Sequence, residues 1–207
     1  MRPEWNGWLA FGVVWALTLA PGFTLLWKYK ARPGEAEGAP PFWPAESRIP
    51  RREDRATLVL FAHPQCPCTR ASVAELARLM AQLDDRLRAW VVILRPSDVG
   101  AEWDGSDLWQ RAAEIPGVTV VRDGDGVESS RFRASTSGAT VLYDTSGRLL
   151  FSGGITSARG HEGDSAGLER IRSLIRTGKA DRSDAPVFGC SLRHAGRPSP
   201  APLEETR

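Results

Sequence analysis

The chain has 207 residues, a formal net charge of +2 and an apolar fraction of 42%, which suits one globular domain with attached segments. A charge so close to zero, with no basic run or basic face, argues against a nucleic-acid-binding protein. Three cysteines are too few for a disulfide scaffold, so their positions are more informative than their number.

The first predicted element is an uncharged apolar stretch from Trp8 to Trp27. About twenty apolar residues are what a membrane-spanning helix needs, and tryptophans at both ends fit the interfacial aromatic belts. A buried helix of a soluble protein would rarely lack polar residues on every face. A cleaved signal peptide is a weaker alternative, because Pro21 directly follows the candidate cleavage site. We therefore expect residues 1–30 to form an uncleaved, single-pass membrane anchor.

Composition marks three further regions. Residues 31–51 are rich in proline and predict a linker that holds a domain off the membrane. The domain is expected over residues 52–190, and the proline-rich, charged residues 191–207 predict a disordered tail.

Within the domain, apolar runs of strand length alternate with amphipathic helical patterns. The predicted strands cover residues 57–62, 89–94 and 118–121, and a predicted β-hairpin covers residues 139–143 and 148–152. The predicted helices cover residues 72–83 and 106–115, and a last helix, which Asp164 would cap, contains Leu168, Ile171 and Ile175. The order along the chain is strand, helix, strand, helix, strand, β-hairpin and helix. This order predicts an α/β fold with helices on both faces of the sheet.

Cys66 and Cys68 lie where the first predicted strand ends and the first helix of the domain begins. The unpaired N–H groups and positive dipole end of a helix favour a thiolate, so the cysteine pKa should fall there. Pro67 is tolerated in a first helical turn because its missing N–H has no partner there in any case. Two buried, inert cysteines are the plainer alternative, but packing explains this pair poorly.

The partner of Cys66 is left open by the sequence. A Cys66–Cys68 disulfide would close a ring of about 11 atoms, in which ideal disulfide geometry is hard to reach, and a strained disulfide is a good oxidant. Thr69 stands where C-x-x-C would have its second cysteine. Cys66 therefore pairs with Cys68, acts alone, or pairs with Cys190, which lies beyond the last predicted helix.

Two histidines are further candidates. The glycine-rich stretch 153–167 predicts a loop that approaches another part of the chain closely, and His161 within it is a candidate general base, metal ligand or pH-sensitive contact. The alternative is a solvated loop. His63 with Cys66 and Cys68 forms H-x-x-C-x-C, a possible site for copper or zinc, which Cys190 or His161 would complete.

Two segments resemble the thioredoxin-like superfamily over about 120 residues, from Thr57 to Arg176. FAHPQCPCTRASVAELARL resembles the family's strand, proline-containing turn, redox cysteines and helix, and TVLYDTSGRLLFSGGI resembles its later hairpin. With its anchor and C-P-C site, the chain resembles membrane-tethered envelope members, including a bacterial subgroup labelled RedB. The resemblance implies a central mixed sheet flanked by helices, with Cys66 as the attacking cysteine.

The chain departs from the family at two positions. Thr69 matches the family's second cysteine, and Gly138 matches its cis-proline, which in the family helps to bind the substrate chain and to keep metals off the sulfurs. The resemblance places substrate binding at Pro67, Ser137 and Gly138. The missing proline leaves room for a metal or another ligand.

Three functions remain open at this point. The first is a thiol–disulfide oxidoreductase without a cofactor that acts on protein thiols and disulfides of the cell envelope. Its candidate catalytic residues are Cys66, Cys68, Thr69, His161 and Cys190. The second is a copper or zinc chaperone that uses His63, Cys66 and Cys68. The third is a thiol peroxidase in which Cys68 or Cys190 resolves the oxidised Cys66.

The location of the domain follows from two opposing signals. Lys28, Lys30 and Arg32 come directly after the apolar stretch, and alone they would place the domain in the cytoplasm. Redox cysteines favour an oxidising compartment. We give the chemistry more weight and expect a bacterial inner-membrane protein with a periplasmic domain.

Overall fold

The computed structural model describes residues 5–83, 85–97, 100 and 107–192, and the chain divides into two compact units between Arg32 and Pro33. The first unit is one helix, α1 (Trp5–Ala31), with Pro21 inside it. Among the described residues it is the one helix long and apolar enough to cross a membrane. The predicted apolar helix is thus confirmed. This test rests on length and composition, which a signal sequence near the N-terminus also passes.

The second unit contains the sheet and the remaining helices. Its elements are β1 (Ala56–Ala62), α2 (Pro67–Leu83), β2 (Leu87–Arg95), α3 (Leu108–Ala113), β3 (Val118–Gly124), α4 (Val127–Arg131), β4 (Thr140–Tyr143), β5 (Leu149–Gly153) and α5 (Ala166–Thr177). Every predicted strand and helix is present, and α4 is an addition that the sequence analysis missed.

The five strands form one mixed sheet in the order β3-β2-β1-β4-β5. Strands β1, β2 and β3 are parallel neighbours. Strand β4 runs antiparallel to β1 and pairs with β5 as the predicted hairpin. Because β1 is the central strand, its carboxyl end places the cysteine turn in the middle of one sheet edge.

Both faces of the sheet are buried, and successive side chains of each strand point to opposite faces. In β1, Leu58 and Leu60 enter a core formed with α2, α3 and α5. Val59 and Phe61 point into a second core on the opposite face. The mixed α/β sheet with helices is confirmed, but α2, α3 and α5 all pack into the first core, and the second core is covered by residues 33–50 and by the chain from Phe132 onward.

The structure differs from the expected linker at residues 33–50, which lie along the domain instead of forming a free spacer. Ile49 is buried in the second core, where Trp43 also packs. The main chain is held as well: Trp43 N donates to Gly147 O at 2.8 Å, and Tyr143 Oη donates to Pro40 O at 2.9 Å. A proline-rich chain is already extended, so it can cover a sheet face where a helix would otherwise be needed.

The chain after α5 returns across the domain rather than ending there. Ser152 N donates to Ser183 O at 2.9 Å, which places residues 183–185 alongside β5. A Cβ added to Gly153 would lie 2.5 Å from Ala185 N, so the glycines after β5 permit a close backbone approach, as predicted. The predicted cap of α5 was wrong: Ser165, not Asp164, accepts the Leu168 N–H.

Candidate active site

The turn after β1 places Cys66 immediately before the first residue of α2. Cys66 N donates to His63 O at 3.1 Å, and Thr69 N donates to Cys66 O at 3.0 Å, so the chain enters the helix through a tight turn. Pro67 is the first helical residue and Cys68 the second. Both sulfurs therefore lie at a helix N-terminus, where the backbone favours negative charge.

All three cysteines meet at this helix end. Cys190 and Cys68 both lie close enough to Cys66 for the three side chains to influence one another's ionisation. All three are free thiols, of which Cys66 is 2% exposed and Cys68 9% exposed. Cys190 is half-buried. The open question of whether Cys190 reaches the site is thereby answered.

Hydrogen bonding makes Cys66 the most acidic of the three thiols. Burial opposes its ionisation, but hydrogen bonds from Cys190, from the Thr69 side chain and from the Cys68 main chain outweigh it, and the pKa of Cys66 falls below its ordinary value. A thiolate is the nucleophilic form of cysteine. Cys66 is therefore the nucleophile that this geometry provides.

The other two thiols are held in the protonated form. Burial, with the charge and hydrogen bond of Cys66, raises the pKa of Cys68. Burial, with the hydrogen bond to Cys66, raises the pKa of Cys190 to about 12. Arg159 opposes both shifts through its positive charge, so it favours a thiolate on whichever of the two sulfurs loses its proton.

Thr69 and Ser137 form a buried polar pair beneath Cys66. Their hydroxyl oxygens lie 2.6 Å apart, and Ser137 Oγ also accepts from His63 N at 2.9 Å. Thr69 thus replaces the second cysteine of a C-x-x-C site with a hydroxyl that hydrogen-bonds to Cys66. This pair fixes the turn against the segment before β4.

Gly138 lies next to this pair and has φ of 91°, a value that L side chains rarely adopt. The described residues contain no cis peptide bond. Gly138 N donates to Phe61 O at 2.7 Å, so the segment before β4 follows the end of β1. The predicted substrate-binding roles of Pro67, Ser137 and Gly138 stay predictions.

The two histidines differ in their surroundings. His161 is exposed and is not among the main groups that set the pKa of the three cysteines. His63 Nδ1 accepts from Gln65 N at 3.2 Å. In the described part of the chain, no three His, Cys, Asp or Glu side chains are grouped as a metal site. The copper or zinc hypothesis and the role of His161 both stay predictions.

Arg159 is the site residue that sequence reasoning missed. Its Nη1 donates to Gly189 O at 2.6 Å, one residue before Cys190, while its charge acts on Cys68 and Cys190. The only signal in the sequence was the length of the glycine-rich insert that carries it. Neither that length nor the composition identifies which of its polar residues turns inward.

The arrangement of strands and cysteines decides the fold family. Three parallel strands are extended by an antiparallel hairpin on the far side of β1, and the nucleophilic cysteine lies at the start of the helix that follows β1. The second unit has the thioredoxin-like fold. The predicted fold class is confirmed, and so is the resemblance to the thioredoxin-like fold.

Two solved structures with TM-scores above 0.5 share this architecture. No family model and no curated protein matches the sequence. An uncharacterized conserved protein from Geobacillus kaustophilus is 19% identical with a TM-score of 0.58, covering 81% of this chain and 95% of its own. A hypothetical protein from Sinorhizobium meliloti is 19% identical with a TM-score of 0.60, covering 81% and 100%. StoA from Bacillus subtilis is 16% identical with a TM-score of 0.43, covering 69% and 97%.

Proposed function

We propose that this thioredoxin-like protein is a thiol–disulfide oxidoreductase whose nucleophile is Cys66. One observation carries the proposal: Cys66 lies directly before the first residue of a helix and has a lowered pKa, and two further thiols lie close enough to act on its ionisation. Such a cluster holds both an attacking sulfur and the sulfurs that can release a partner from it. Its substrates would be protein thiols and disulfides.

The exchange consists of two displacements at sulfur. The Cys66 thiolate attacks a partner disulfide, forming a mixed disulfide and releasing one partner thiolate, which takes up a proton. A second cysteine of the chain loses its proton and attacks Cys66 Sγ, forming an internal disulfide and releasing the other partner sulfur as a thiol. The partner gains two electrons and two protons, and the two cysteines of the chain lose them.

We assign this second step to Cys190. Cys66 and Cys68 are separated by one residue, so their disulfide closes a small, strained ring. Cys190 arrives from a distant part of the chain and carries no such ring constraint. Arg159 next to it favours the thiolate that the step requires.

The same contact favours a second candidate function, a thiol peroxidase. The Cys66 thiolate would attack a hydroperoxide, becoming a sulfenic acid and releasing an alcohol or water. Cys190 would then form the disulfide and release water. Rapid peroxide consumption by the reduced protein, without reduction of protein disulfides, would favour this candidate over the first.

We further propose that α1 is an uncleaved anchor in a bacterial inner membrane and that the domain lies on the periplasmic side. The support is the uncharged, apolar length of α1, together with cysteine chemistry that suits an oxidising compartment. A reporter active only in the periplasm, fused after Arg207, should be active in cells. A silent fusion, with a cytoplasmic reporter active at the same position, would reverse the orientation.

Replacing Cys190 by serine should trap the partner on Cys66. The mixed disulfide still forms, but its faster route of release is lost, so its lifetime should increase at least about tenfold. Full-length reduced protein in detergent is mixed with a protein disulfide such as insulin, quenched with acid, and run on non-reducing gels. Mass spectrometry then identifies the cross-linked cysteine.

Cys68→Ser is the matched control for this experiment, because it also removes one of the two neighbours of Cys66. It should resolve the mixed disulfide at about the wild-type rate. Trapping by Cys68→Ser alone would assign the second step to Cys68. If neither variant ever forms a mixed disulfide on Cys66, the oxidoreductase proposal is wrong.

A further inference from the structure

Residues 187–192, which we call the strap, lie beside the segment before β4, and residues 190–192 pair with it in antiparallel direction. Ser137 N donates to Cys190 O at 2.8 Å, and Leu192 N donates to Ser135 O at 2.9 Å. An antiparallel bridge between Thr136 and Ser191 lies between these two bonds. The edge that residues 135–137 would otherwise offer to another chain is therefore occupied by the protein itself.

The fit of the strap depends on glycine at one position. A Cβ added to Gly189 would lie 1.9 Å from Ser137 O, which no conformation of a side chain avoids because the clash involves the backbone. Val187, Phe188 and Leu192 are 4%, 7% and 4% exposed. The strap is thus a closely packed element, and it helps to explain why Cys66 is only 2% exposed.

Arg159 fastens the strap from the other side. Its Nη1 donates to Gly189 O at 2.6 Å, a charge-assisted bond of the stronger kind. The loop that carries Arg159 is itself held to α2, since Gly163 N donates to the buried carboxylate of Glu75 at 2.6 Å. The glycine-rich insert therefore connects the helix that begins at the cysteines to the chain that carries Cys190.

We infer that Arg159 is a positioning residue that clasps the strap over Cys66, and that an external partner chain reaches Cys66 only when the strap is displaced. Cys190 then lies where a partner's cysteine would bind, and the strap occupies the position of the partner chain. This inference rests on the proposed function for its meaning, but its test measures access to a sulfur and requires no catalytic activity.

The clasp gives the two steps of the exchange an order. An incoming disulfide displaces the strap and is attacked by Cys66, which leaves the mixed disulfide exposed. The strap then returns, and the Cys190 sulfur attacks Cys66 Sγ, so that the internal disulfide forms and the partner thiol leaves. Closing the strap and expelling the partner are thus one movement.

Gly189→Ala and Arg159→Met should both open the strap and speed alkylation of Cys66. Reduced full-length protein in detergent is treated with iodoacetamide at a pH above the ordinary pKa of a thiol, so that protonation does not limit the rate. Mass spectrometry of quenched samples gives the rate at each cysteine. We expect a rise of about tenfold or more at Cys66, the scale of one lost hydrogen bond to a charged donor.

Two controls separate clasping from general loosening of the fold. Gly124→Ala adds a methyl group where the structure has open space and should leave the Cys66 rate unchanged. Arg159→Lys keeps a cationic donor and should restore slow alkylation in part, which a merely structural loss would not show. Oxidation with a small disulfide such as glutathione disulfide should give Cys66–Cys190 in the wild type and a larger share of Cys66–Cys68 in Arg159→Met.

The inference is overturned if Gly189→Ala and Arg159→Met, both folded by circular dichroism, leave the Cys66 rate within about twofold of wild type. Should Gly189→Ala not fold, Arg159→Met with its lysine counterpart decides alone. Neither result bears on whether Cys190→Ser traps a partner. The proposed function and the inference about the strap are therefore tested independently.

Discussion

Cys66→Ser should lower the rate of protein-disulfide reduction by about a thousandfold or more, the scale on which removing a catalytic nucleophile acts. The reason is that Cys66 alone among the three thiols has its pKa lowered, while those of Cys68 and Cys190 are raised. A serine hydroxyl in the same place is not ionised and does not attack disulfides. The rate is measured from insulin precipitation with a chemical thiol as electron donor.

Cys68→Ser is the control for this loss, and its rate should stay within about tenfold of the wild type because Cys190 remains to complete the exchange. The two variants differ from the wild type by the same sulfur-to-oxygen change at neighbouring, buried positions. Equal melting temperatures would show that both are folded. Retention of more than about a tenth of the activity by Cys66→Ser would contradict its role as the nucleophile.

Phe132→Ala should lower the free energy of unfolding of the domain by about 3–5 kcal/mol, the usual cost of truncating a buried phenylalanine. Phe132 is 1% exposed. Its ring centroid lies 5.1 Å from that of Trp43, 5.4 Å from that of Phe61 and 6.0 Å from that of Tyr143. The variant removes the centre of an aromatic cluster that joins residues 33–50 to the sheet. Urea unfolding followed by tryptophan fluorescence measures the loss.

Val127→Ala is a suitable comparison, because Val127 is 45% exposed at the start of α4, the short helix that Phe132 directly follows. It should change the free energy of unfolding by no more than about 0.5 kcal/mol. A cost for Phe132→Ala that is as small as this would mean that the second core does not stabilise the domain as a unit. Residues 33–50 would then pack on the sheet without contributing to the stability of the domain.

The parts of the fold that the sequence predicted are those set by local pattern. The apolar run of β1, the helical stripe of α2 and the glycine turn between β4 and β5 each depend on neighbours a few residues away. The position of Cys66 at a helix N-terminus follows from the first two. For the same reason α4 was missed: it has five residues, too few for a periodic signal.

The contacts that complete the site join residues far apart in the chain, and no pattern within a segment encodes them. Cys190 lies more than a hundred residues after Cys66, and its return depends on the close approach of Gly189 to Ser137. Arg159 resembles any arginine of a polar loop until its bond to Gly189 is seen. Residues 33–50 have the composition of a spacer, yet they pack on a sheet face where the other described residues place no long helix.

The site contains three cysteines, an odd number, whereas each disulfide uses two. An internal disulfide uses two of the three sulfurs, so a molecule that holds one keeps a thiol beside it. That remaining thiol can attack the disulfide, so the molecule can interconvert its Cys66–Cys68 and Cys66–Cys190 forms without any outside reagent. Removing that last thiol requires a second molecule, such as a small disulfide that caps it and releases its own other half as a thiol.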